Sequence, residues 1–225
     1  MADGYHPPLE EYLEAIYSLS EEGTSTIQAR VAERLGHTPQ TVSETVHRLI
    51  DEGYLTINQQ KMIDFTPIGR KLSESIVRRH RLAERFIVEI VGLPWSQAHI
   101  EAGRWEHVIS PEVEKRFVEL LGNPTTCPHG NPIPGTPYST TRQYPLSEIA
   151  NSTEVVVKRI TEQVEVSHEM LIYLELNGIM PGSHVQINAK TQDRTLMLEV
   201  LDPYKKEPVL IENRLADQIF CILPQ

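Results

Sequence analysis

A proline- and glycine-rich run divides this chain into two parts. Residues 126–147 read TCPHGNPIPGTPYSTTRQYPLS. Proline lacks a backbone donor and disfavours helical backbone in the residue before it, so no helix can cross this run. We therefore expect separate folded parts before and after it, with 126–147 as a linker.

The first part of the chain predicts a winged helix-turn-helix. Apolar residues recur at helical spacing in 9–22, 25–36 and 37–55. Gly36 can end the second helix, and Thr38 can cap the third with Pro39 in its first turn. Two short apolar stretches around the polar tip NQQK then predict a small hairpin.

A winged helix-turn-helix places its second helix in the major groove of DNA. The short polar side chains of TPQTVS suit contacts to bases and phosphates. The predicted DNA-contacting residues are Thr38, Pro39, Gln40, Thr41, Ser43, Glu44, Arg48 and Lys61. Residues 24–62 carry as many acidic as basic side chains, which is a weak footprint for phosphate binding, so a protein-interaction adaptor is the alternative.

The middle of the chain carries metal-ligand side chains at helical spacing. His80 and Glu84 lie four residues apart in a predicted helix over 70–93. A second predicted helix, starting near residue 96 and continuing to 122, places His99, Glu106 and His107 in one stripe. A solvated face explains either stripe alone, but two such stripes together match the nitrogen and oxygen ligands of divalent first-row metals.

Composition excludes several classes of protein. A net charge of −10, no long apolar run and an N-terminus without a basic or apolar leader indicate a cytoplasmic protein with no membrane span. Two cysteines make a disulfide framework improbable. A metal-dependent hydrolase or a thiol nucleophile, Cys127 near His129, is a competing hypothesis. The chain lacks a His-Glu-x-x-His run and a glycine-rich phosphate loop, so we expect no enzyme.

The last part of the chain predicts a small β domain. Residues 154–160, 184–191 and 195–201 read as strands, one helix is predicted over 167–178, and residues 214–223 close the domain. Several short strands around one helix indicate a small barrel. The predicted fold class is mainly α with a small β domain.

Three stretches resemble the diphtheria-toxin-repressor family of metal-dependent transcriptional repressors: RRHRLAERF (78–86), RWEHVIS (104–110) and CPHGNPIPG (127–135). The resemblance covers nearly the whole chain and is to the long, three-domain form. It implies a winged helix-turn-helix domain in 1–70, a helical dimerisation and metal-binding domain in 71–125, and an SH3-like (FeoA-like) domain in 148–225. It also implies a homodimer that binds double-stranded operator DNA near metal-homeostasis genes, with no small-molecule substrate.

The resemblance further implies two metal sites. The ancillary set is His80, Glu84, His99, Glu165 and His168, with Glu169 as a competitor in the third domain. The primary set is Glu11, Glu106, His107, Cys127 and the Gly103 carbonyl, with Glu14 as a weaker candidate on the first helix. Some family members have methionine at the position of Glu11 and cysteine or a carboxylate at that of Gly103.

Ligand type bears on the choice of metal. Carboxylates suit Mn²⁺ and Fe²⁺, whereas a thiolate favours later metals such as Zn²⁺. We expect Mn²⁺ slightly ahead of Fe²⁺ because Glu11 stands where iron-responsive members have methionine, and Zn²⁺ or Co²⁺ could substitute in vitro.

Overall fold

The computed structural model describes residues 7–138, 141–201 and 207–224. It divides into two compact units. The first unit comprises the chain up to His80 together with Gly103–Glu114. The second unit comprises Arg81–Ala102 and the chain from Lys115 onward.

The first unit begins with three helices, a hairpin and a long helix. The elements are α1 (Pro7–Glu21), α2 (Gln28–Leu35), α3 (Pro39–Asp51), β1 (Leu55–Ile57), β2 (Ile63–Phe65) and α4 (Pro67–Phe86), whose last turns belong to the second unit. The two strands pair antiparallel. This order is the predicted winged helix-turn-helix.

Local signals and one shared core explain these elements. Gly36 ends α2 in left-handed backbone, at φ 64°. The Thr38 side chain accepts a hydrogen bond from the Thr41 amide at 3.2 Å and so caps α3. Apolar side chains of α1, α2 and α3 are fully buried together, among them Leu13, Val31 and Val46. Burial of each such side chain stabilises the unit by roughly 1.5–3 kcal/mol.

The predicted helix from about 96 to 122 is interrupted. The chain forms α5 (Ala98–Trp105), a turn, and then α6 (Pro111–Leu120). Pro111 occupies the first position of α6, and the residue before a proline avoids helical backbone. Glu106 and His107 therefore lie in the turn after α5 rather than on a continuous helical stripe.

The second unit contains most of the strands. After α4 the chain has a π turn, Ile87–Val91, and a 3₁₀ turn, Trp95–Gln97. Later elements are β3 (Tyr144–Pro145), β4 (Glu154–Ile160), α7 (Glu162–Glu165), α8 (His168–Asn177), β5 (His184–Lys190), β6 (Leu196–Val200), β7 (Val209–Ile211), α9 (Asn213–Ala216) and β8 (Ile219–Ile222). The six strands form one antiparallel sheet in the order β3-β8-β4-β5-β6-β7.

The first part of the proline-rich run, residues 127–133, is packed rather than exposed. Cys127, His129 and Ile133 are buried. The Cys127 amide donates to the Asn131 carbonyl at 2.8 Å, and the Ile160 amide donates to the His129 carbonyl at 2.8 Å. The run therefore adds buried polar side chains to the second unit, which a solvated linker would not do.

The fold class is as predicted, with a helical first part and an antiparallel β region after it. Within the described ranges, no helix combines the length and the apolar character needed to cross a membrane.

Candidate metal centres and DNA-binding surface

The first group of metal-ligand side chains lies within the first unit. We call it the first-unit cluster, and its members are Glu10, Glu14, His80, Glu106 and His107. Glu14, His80 and Glu106 each offer a ligand atom, and these atoms lie within 4.8 Å of one another. His80 Nδ1 is in hydrogen-bond contact with Glu106 Oε2 and lies 3.4 Å from Glu14 Oε1.

Glu10 and His107 extend this cluster. His107 Nδ1 lies 2.6 Å from Glu10 Oε2, and its Nε2 lies 3.2 Å from Glu106 Oε1. The hydrogen bond with Glu10 raises the pKa of His107 above its ordinary value, against the lowering effect of burial. Arg79 donates from Nε to the Glu106 carbonyl at 2.6 Å, which fixes the turn after α5.

The rotation of α1 about its own axis places two of its acids, Glu10 and Glu14, at the first-unit cluster. Glu10 and Glu14 are four residues apart and share one side of the helix. Tyr12 and Leu13 point into the core, at 2% and 0% exposure. Glu11 is exposed, and the structure does not bring it into the cluster. Among the acids of α1, the structure brings Glu14, our weaker candidate, and Glu10 to the cluster.

Gly103 is half-buried on α5, three residues before Glu106. A Cβ built at Gly103 would meet nothing within 4 Å, and its φ is not positive. Packing does not require a glycine at this position. The assignment of its carbonyl as a backbone ligand stays a prediction.

The second group lies within the second unit. We call it the second-unit cluster, and its members are Glu84, His99, Cys127, His129 and Glu165. Glu84, Cys127 and His129 have ligand atoms within 4.8 Å of one another. His129 Nδ1 lies 3.3 Å from Glu84 Oε1 and 3.2 Å from Glu165 Oε2. His99 Nδ1 lies 3.3 Å from the same two carboxylate oxygens.

Burial distinguishes the second-unit cluster. The side chains of Glu84, His129 and Glu165 have no exposed area, and Cys127 is 1% exposed. Burial raises the pKa of the Cys127 thiol well above its usual range and that of Glu165 to about 7. Burial alone would lower the pKa of His129, but the facing carboxylates of Glu165 and Glu84 outweigh it and raise that pKa.

The second-unit cluster fits a divalent cation. His129 Nε2 is buried and has no hydrogen-bond partner among the described residues. Such a buried polar atom is costly unless something binds it. Two carboxylates, a thiol and two imidazoles are also the ligand types of first-row metals, and a cation would offset the buried negative charge.

Hydrogen bonds and an ion pair with neighbouring side chains hold Glu165 in place. Asn131 Nδ2 donates to Glu165 Oε1 at 2.5 Å and to the Ile160 carbonyl at 2.8 Å. Arg81, which is fully buried, donates to Glu162 Oε1 from Nη2 at 2.7 Å. Because Glu162 and Glu165 share the one-turn helix α7, the ion pair between Arg81 and Glu162 also helps to position Glu165.

Three residues of the expected ancillary set, Glu84, His99 and Glu165, come together in the second-unit cluster. His80 contacts Glu14 and Glu106 within the first unit, and its place in the ancillary set stays a prediction. Cys127 was expected beside Glu106 and His107, but the structure brings it together with Glu84 and His129. His168 Nδ1 lies 3.1 Å from the Ser96 carbonyl and is not a member of the second-unit cluster.

Sequence reasoning missed Glu10 and gave His129 no role in a metal site. For His129 the signal was the CPH spacing, which puts a thiol and an imidazole two residues apart. For Glu10 the signal was its four-residue separation from Glu14, once the buried side of α1 was fixed by Tyr12 and Leu13.

The candidate DNA-binding surface is the exposed side of α3. Val42, Val46 and Leu49 are buried on its other side. The exposed side chains predicted to contact DNA are Thr38, Pro39, Gln40, Thr41, Glu44 and Arg48, with Ser43 partly exposed and Lys61 exposed on the hairpin. Lys61 adopts left-handed backbone at φ 63°, and its amide donates to the Asn58 carbonyl at the hairpin tip.

Comparison with known protein families accounts for most of the chain. Residues 6–63 match the N-terminal DNA binding domain of iron dependent repressors. Residues 66–135 match their metal binding and dimerisation domain, and residues 144–223 match the FeoA domain.

Individual proteins give the same result. The chain is 41% identical over 189 residues to the iron-dependent repressor IdeR of Mycobacterium tuberculosis, covering 79% of this chain and 82% of that protein. It is 40% identical to the diphtheria toxin repressor of Corynebacterium efficiens, covering 79% and 81%. A solved manganese-dependent transcriptional repressor in complex with manganese superposes with a TM-score of 0.84 at 27% identity, covering 96% of this chain and all of that one.

Proposed function

Because the chain belongs to the family of iron-dependent repressors, we propose that it is a metal-dependent transcriptional repressor that binds operator DNA as a homodimer. The genes under its control would be those of metal homeostasis. The relatives it matches are named as repressors, and we assign it no catalytic activity.

One observation carries the proposal. Helix α1 contributes Glu10 and Glu14 to the first-unit cluster, and the same helix packs its apolar side against α2 and α3. A metal ion bound between Glu14 and Glu106 would therefore hold α1, the helix that packs against the proposed DNA-binding helix α3. A divalent ion bound there would offset the mutual repulsion of the neighbouring carboxylates of Glu14 and Glu106.

The chain's own residues make the connection from the cluster to α3. On one side of α1, Glu10 and Glu14 contact His107 and His80. On another, the Tyr12 hydroxyl lies 2.9 Å from His37 Nδ1, in the turn just before the cap of α3. A shift of α1 therefore reaches the start of α3 through a hydrogen bond as well as through the apolar core. A bound cation would favour one position of α1 only to the extent that it binds the protein more tightly in that position than in others.

The proposed activating ligands are Glu14, His80, Glu106 and His107, with Glu10 beside them. All are carboxylates or imidazoles, which suit Mn²⁺ and Fe²⁺. With the Cys127 thiol assigned elsewhere, no soft ligand remains in this set, and this supports our preference for Mn²⁺ over Fe²⁺. Co²⁺ and Zn²⁺ would substitute in vitro.

We propose the second-unit cluster as a second, structural metal site. It joins side chains from α4, α5, the 127–135 segment and α7, which are far apart along the chain. Its thiol favours later metals such as Zn²⁺ or Co²⁺. Full burial and the hydrogen bond from Asn131 to Glu165 suit an ion that remains bound rather than one that is exchanged during regulation.

The proposed dimer would use apolar side chains of the helical region. Ile90 and Val91 are 53% and 50% exposed in the π turn after α4, and Leu120 is 56% exposed at the end of α6. Exposed apolar side chains of this size are typical of protein interfaces. Two copies would place two α3 helices in successive major grooves.

The test begins with full-length protein stripped of metal by a chelator. Selection from random DNA duplexes in the presence of Mn²⁺ would supply the operator, and its affinity would be measured with Mn²⁺, anaerobic Fe²⁺, Co²⁺, Zn²⁺ or chelator at fixed ionic strength. We expect tight binding with Mn²⁺ or Fe²⁺ and weak binding with chelator. Equal affinity with and without metal would contradict the proposal.

A further inference from the structure

A carboxylate lies in the middle of the surface proposed to face DNA. Glu44 is exposed on α3, one turn after Gln40. Gln40 Nε2 donates a hydrogen bond to Glu44 Oε1 at 2.9 Å. The pair therefore holds the carboxylate in one orientation on the exposed side of the helix.

No cation compensates Glu44 within the part of the chain that the structure describes. The nearest basic residue on the same helix, Arg48, lies 3.7 Å from Glu52 instead. A carboxylate brought toward DNA without a cation is repelled by the phosphates, which carry one negative charge per roughly 1.7 Å of duplex. A carboxylate at this place on α3 therefore weakens DNA binding unless it accepts hydrogen bonds from a base.

The base edges of the major groove differ in what they offer a carboxylate. Guanine presents two acceptors, and thymine presents an acceptor and a methyl group. Adenine presents a donor, N6, beside an acceptor, N7, which repels the second carboxylate oxygen. Cytosine presents only the N4 donor, and it is the established partner of Glu and Asp.

We infer that Glu44 is a specificity-determining residue that reads one cytosine in each half of the operator. Gln40 positions it, because its amide nitrogen donates to Oε1. Oε2 would then be the acceptor for cytosine N4. The negative charge at the same time weakens binding to DNA that lacks this cytosine. This inference rests on the proposed function, since it requires α3 to enter the major groove.

The experiment compares three full-length proteins loaded with Mn²⁺: the wild type, Glu44→Gln and Asp51→Asn. Asp51→Asn is the matched control, since it removes one negative charge from the last, exposed residue of the same helix. Each protein selects duplexes from a random pool, and affinities for single-base variants of the resulting operator are then measured at fixed salt.

We expect a cytosine at the same position of both half-sites for the wild type and for Asp51→Asn. Replacement of that cytosine should weaken wild-type binding roughly tenfold. Glu44→Gln should prefer adenine there, because a glutamine amide pairs with N6 and N7 of adenine. All other positions of the operator should stay the same.

The two proposals fail in different ways. If the wild type selects an operator in a metal-dependent manner but Glu44→Gln selects the same bases at every position, the inference about Glu44 is wrong and the proposed function stands. If the wild type selects no sequence with metal, both are wrong.

Discussion

The first-unit and second-unit clusters use similar side chains in different surroundings. In the first, Glu10 and Glu14 keep 22% and 18% of their side-chain surface exposed. In the second, the side chains of Glu84, His129 and Glu165 have none exposed. The first has only nitrogen and oxygen donors, and the second includes a thiol.

We propose that this difference corresponds to a regulatory site in the first unit and a structural site in the second. A regulatory ion must exchange with the medium and must act on a segment that changes position. Partial exposure and two ligands on α1 meet both requirements. A structural ion must stay bound, and full burial of side chains that are themselves hydrogen-bonded favours retention of the ion. We therefore expect variants of the two clusters to differ in kind, and the following experiments test that expectation.

Glu106→Gln should have the largest effect. Glu106 is 1% exposed and contacts both His80 and His107, so it is central to the first-unit cluster. The glutamine amide keeps the shape of the Glu106 carboxylate and removes its negative charge. We expect metal-stimulated operator binding to fall on the order of 100-fold, the upper range of allosteric coupling. Operator affinity as a function of Mn²⁺ is the measurement.

Glu112→Gln is the matched control for that variant, because Glu112 is an exposed acid on α6 in the same unit. It should respond to Mn²⁺ like the wild type. Circular dichroism and sedimentation of Glu106→Gln should match the wild type as well. A normal metal response from Glu106→Gln would show that the first-unit cluster is an ordinary hydrogen-bonded group.

Glu14→Gln and Glu11→Gln together test which acid of α1 matters. Glu14 lies 3.4 Å from His80 Nδ1, whereas Glu11 is exposed. We expect Glu14→Gln to raise the Mn²⁺ concentration needed for half-maximal operator binding roughly tenfold, equivalent to about 1.4 kcal/mol. Glu11→Gln should leave it unchanged. The reverse result would restore our assignment from the sequence.

Local patterns in the sequence predicted much of this molecule. The Thr38 cap with Pro39 gave the start of α3, and the alternating apolar residues gave the wing, because both depend on contacts between near neighbours. Spacing also identified Glu106 and His107 as a pair. Spacing alone did not show that they lie in a turn, although Pro111, which begins α6, was a local signal that the helix is interrupted.

The composition of each cluster was harder to predict. The choice between Glu11 and Glu14 depends on the rotation of α1 about its axis, which is set by the buried Tyr12 and Leu13. The meeting of Cys127 with Glu84 depends on how the proline-rich run folds back on α4 and α5. No spacing within the sequence encodes such a long-range contact, so the sequence alone could not place the thiol beside Glu84.

Cys127→Ser tests the second-unit cluster with a spectroscopic signature. A thiolate bound to Co²⁺ gives a sulfur-to-metal charge-transfer band in the near ultraviolet, and a hydroxyl does not. We expect the band in the wild type and its loss in Cys127→Ser. Because this cluster has no ligand from α1, metal-stimulated operator binding should change by no more than about threefold, below the usual range of allosteric coupling.

Cys221→Ser is the matched control for the thiol. Cys221 is the other buried cysteine, and its Sγ donates to the Tyr144 carbonyl at 3.2 Å. The variant should retain the charge-transfer band. If the band persists in Cys127→Ser, or if that variant abolishes the response of DNA binding to metal, the division into a regulatory and a structural site is wrong.

The contact from α1 to α3 should have a smaller effect than the side chains of the first-unit cluster. Tyr12→Phe removes only the hydroxyl that lies 2.9 Å from His37 Nδ1. A typical hydrogen bond contributes about 1 kcal/mol net, so the ratio of operator affinity with and without Mn²⁺ should fall about fivefold. Mn²⁺ affinity in the absence of DNA should be nearly unchanged, because the ligands of the first-unit cluster are intact.

A double-mutant cycle separates this coupling from a general loss of stability. Once Tyr12 is phenylalanine, His37→Ala should lower the ratio no further, because the two side chains share one interaction. Tyr173→Phe, which removes a hydroxyl that donates to the Leu210 carbonyl in the second unit, serves as the control and should leave the ratio unchanged. If the effects of Tyr12→Phe and His37→Ala are additive, the coupling between the metal site and α3 depends on the apolar core instead, where α1 and α3 share buried side chains.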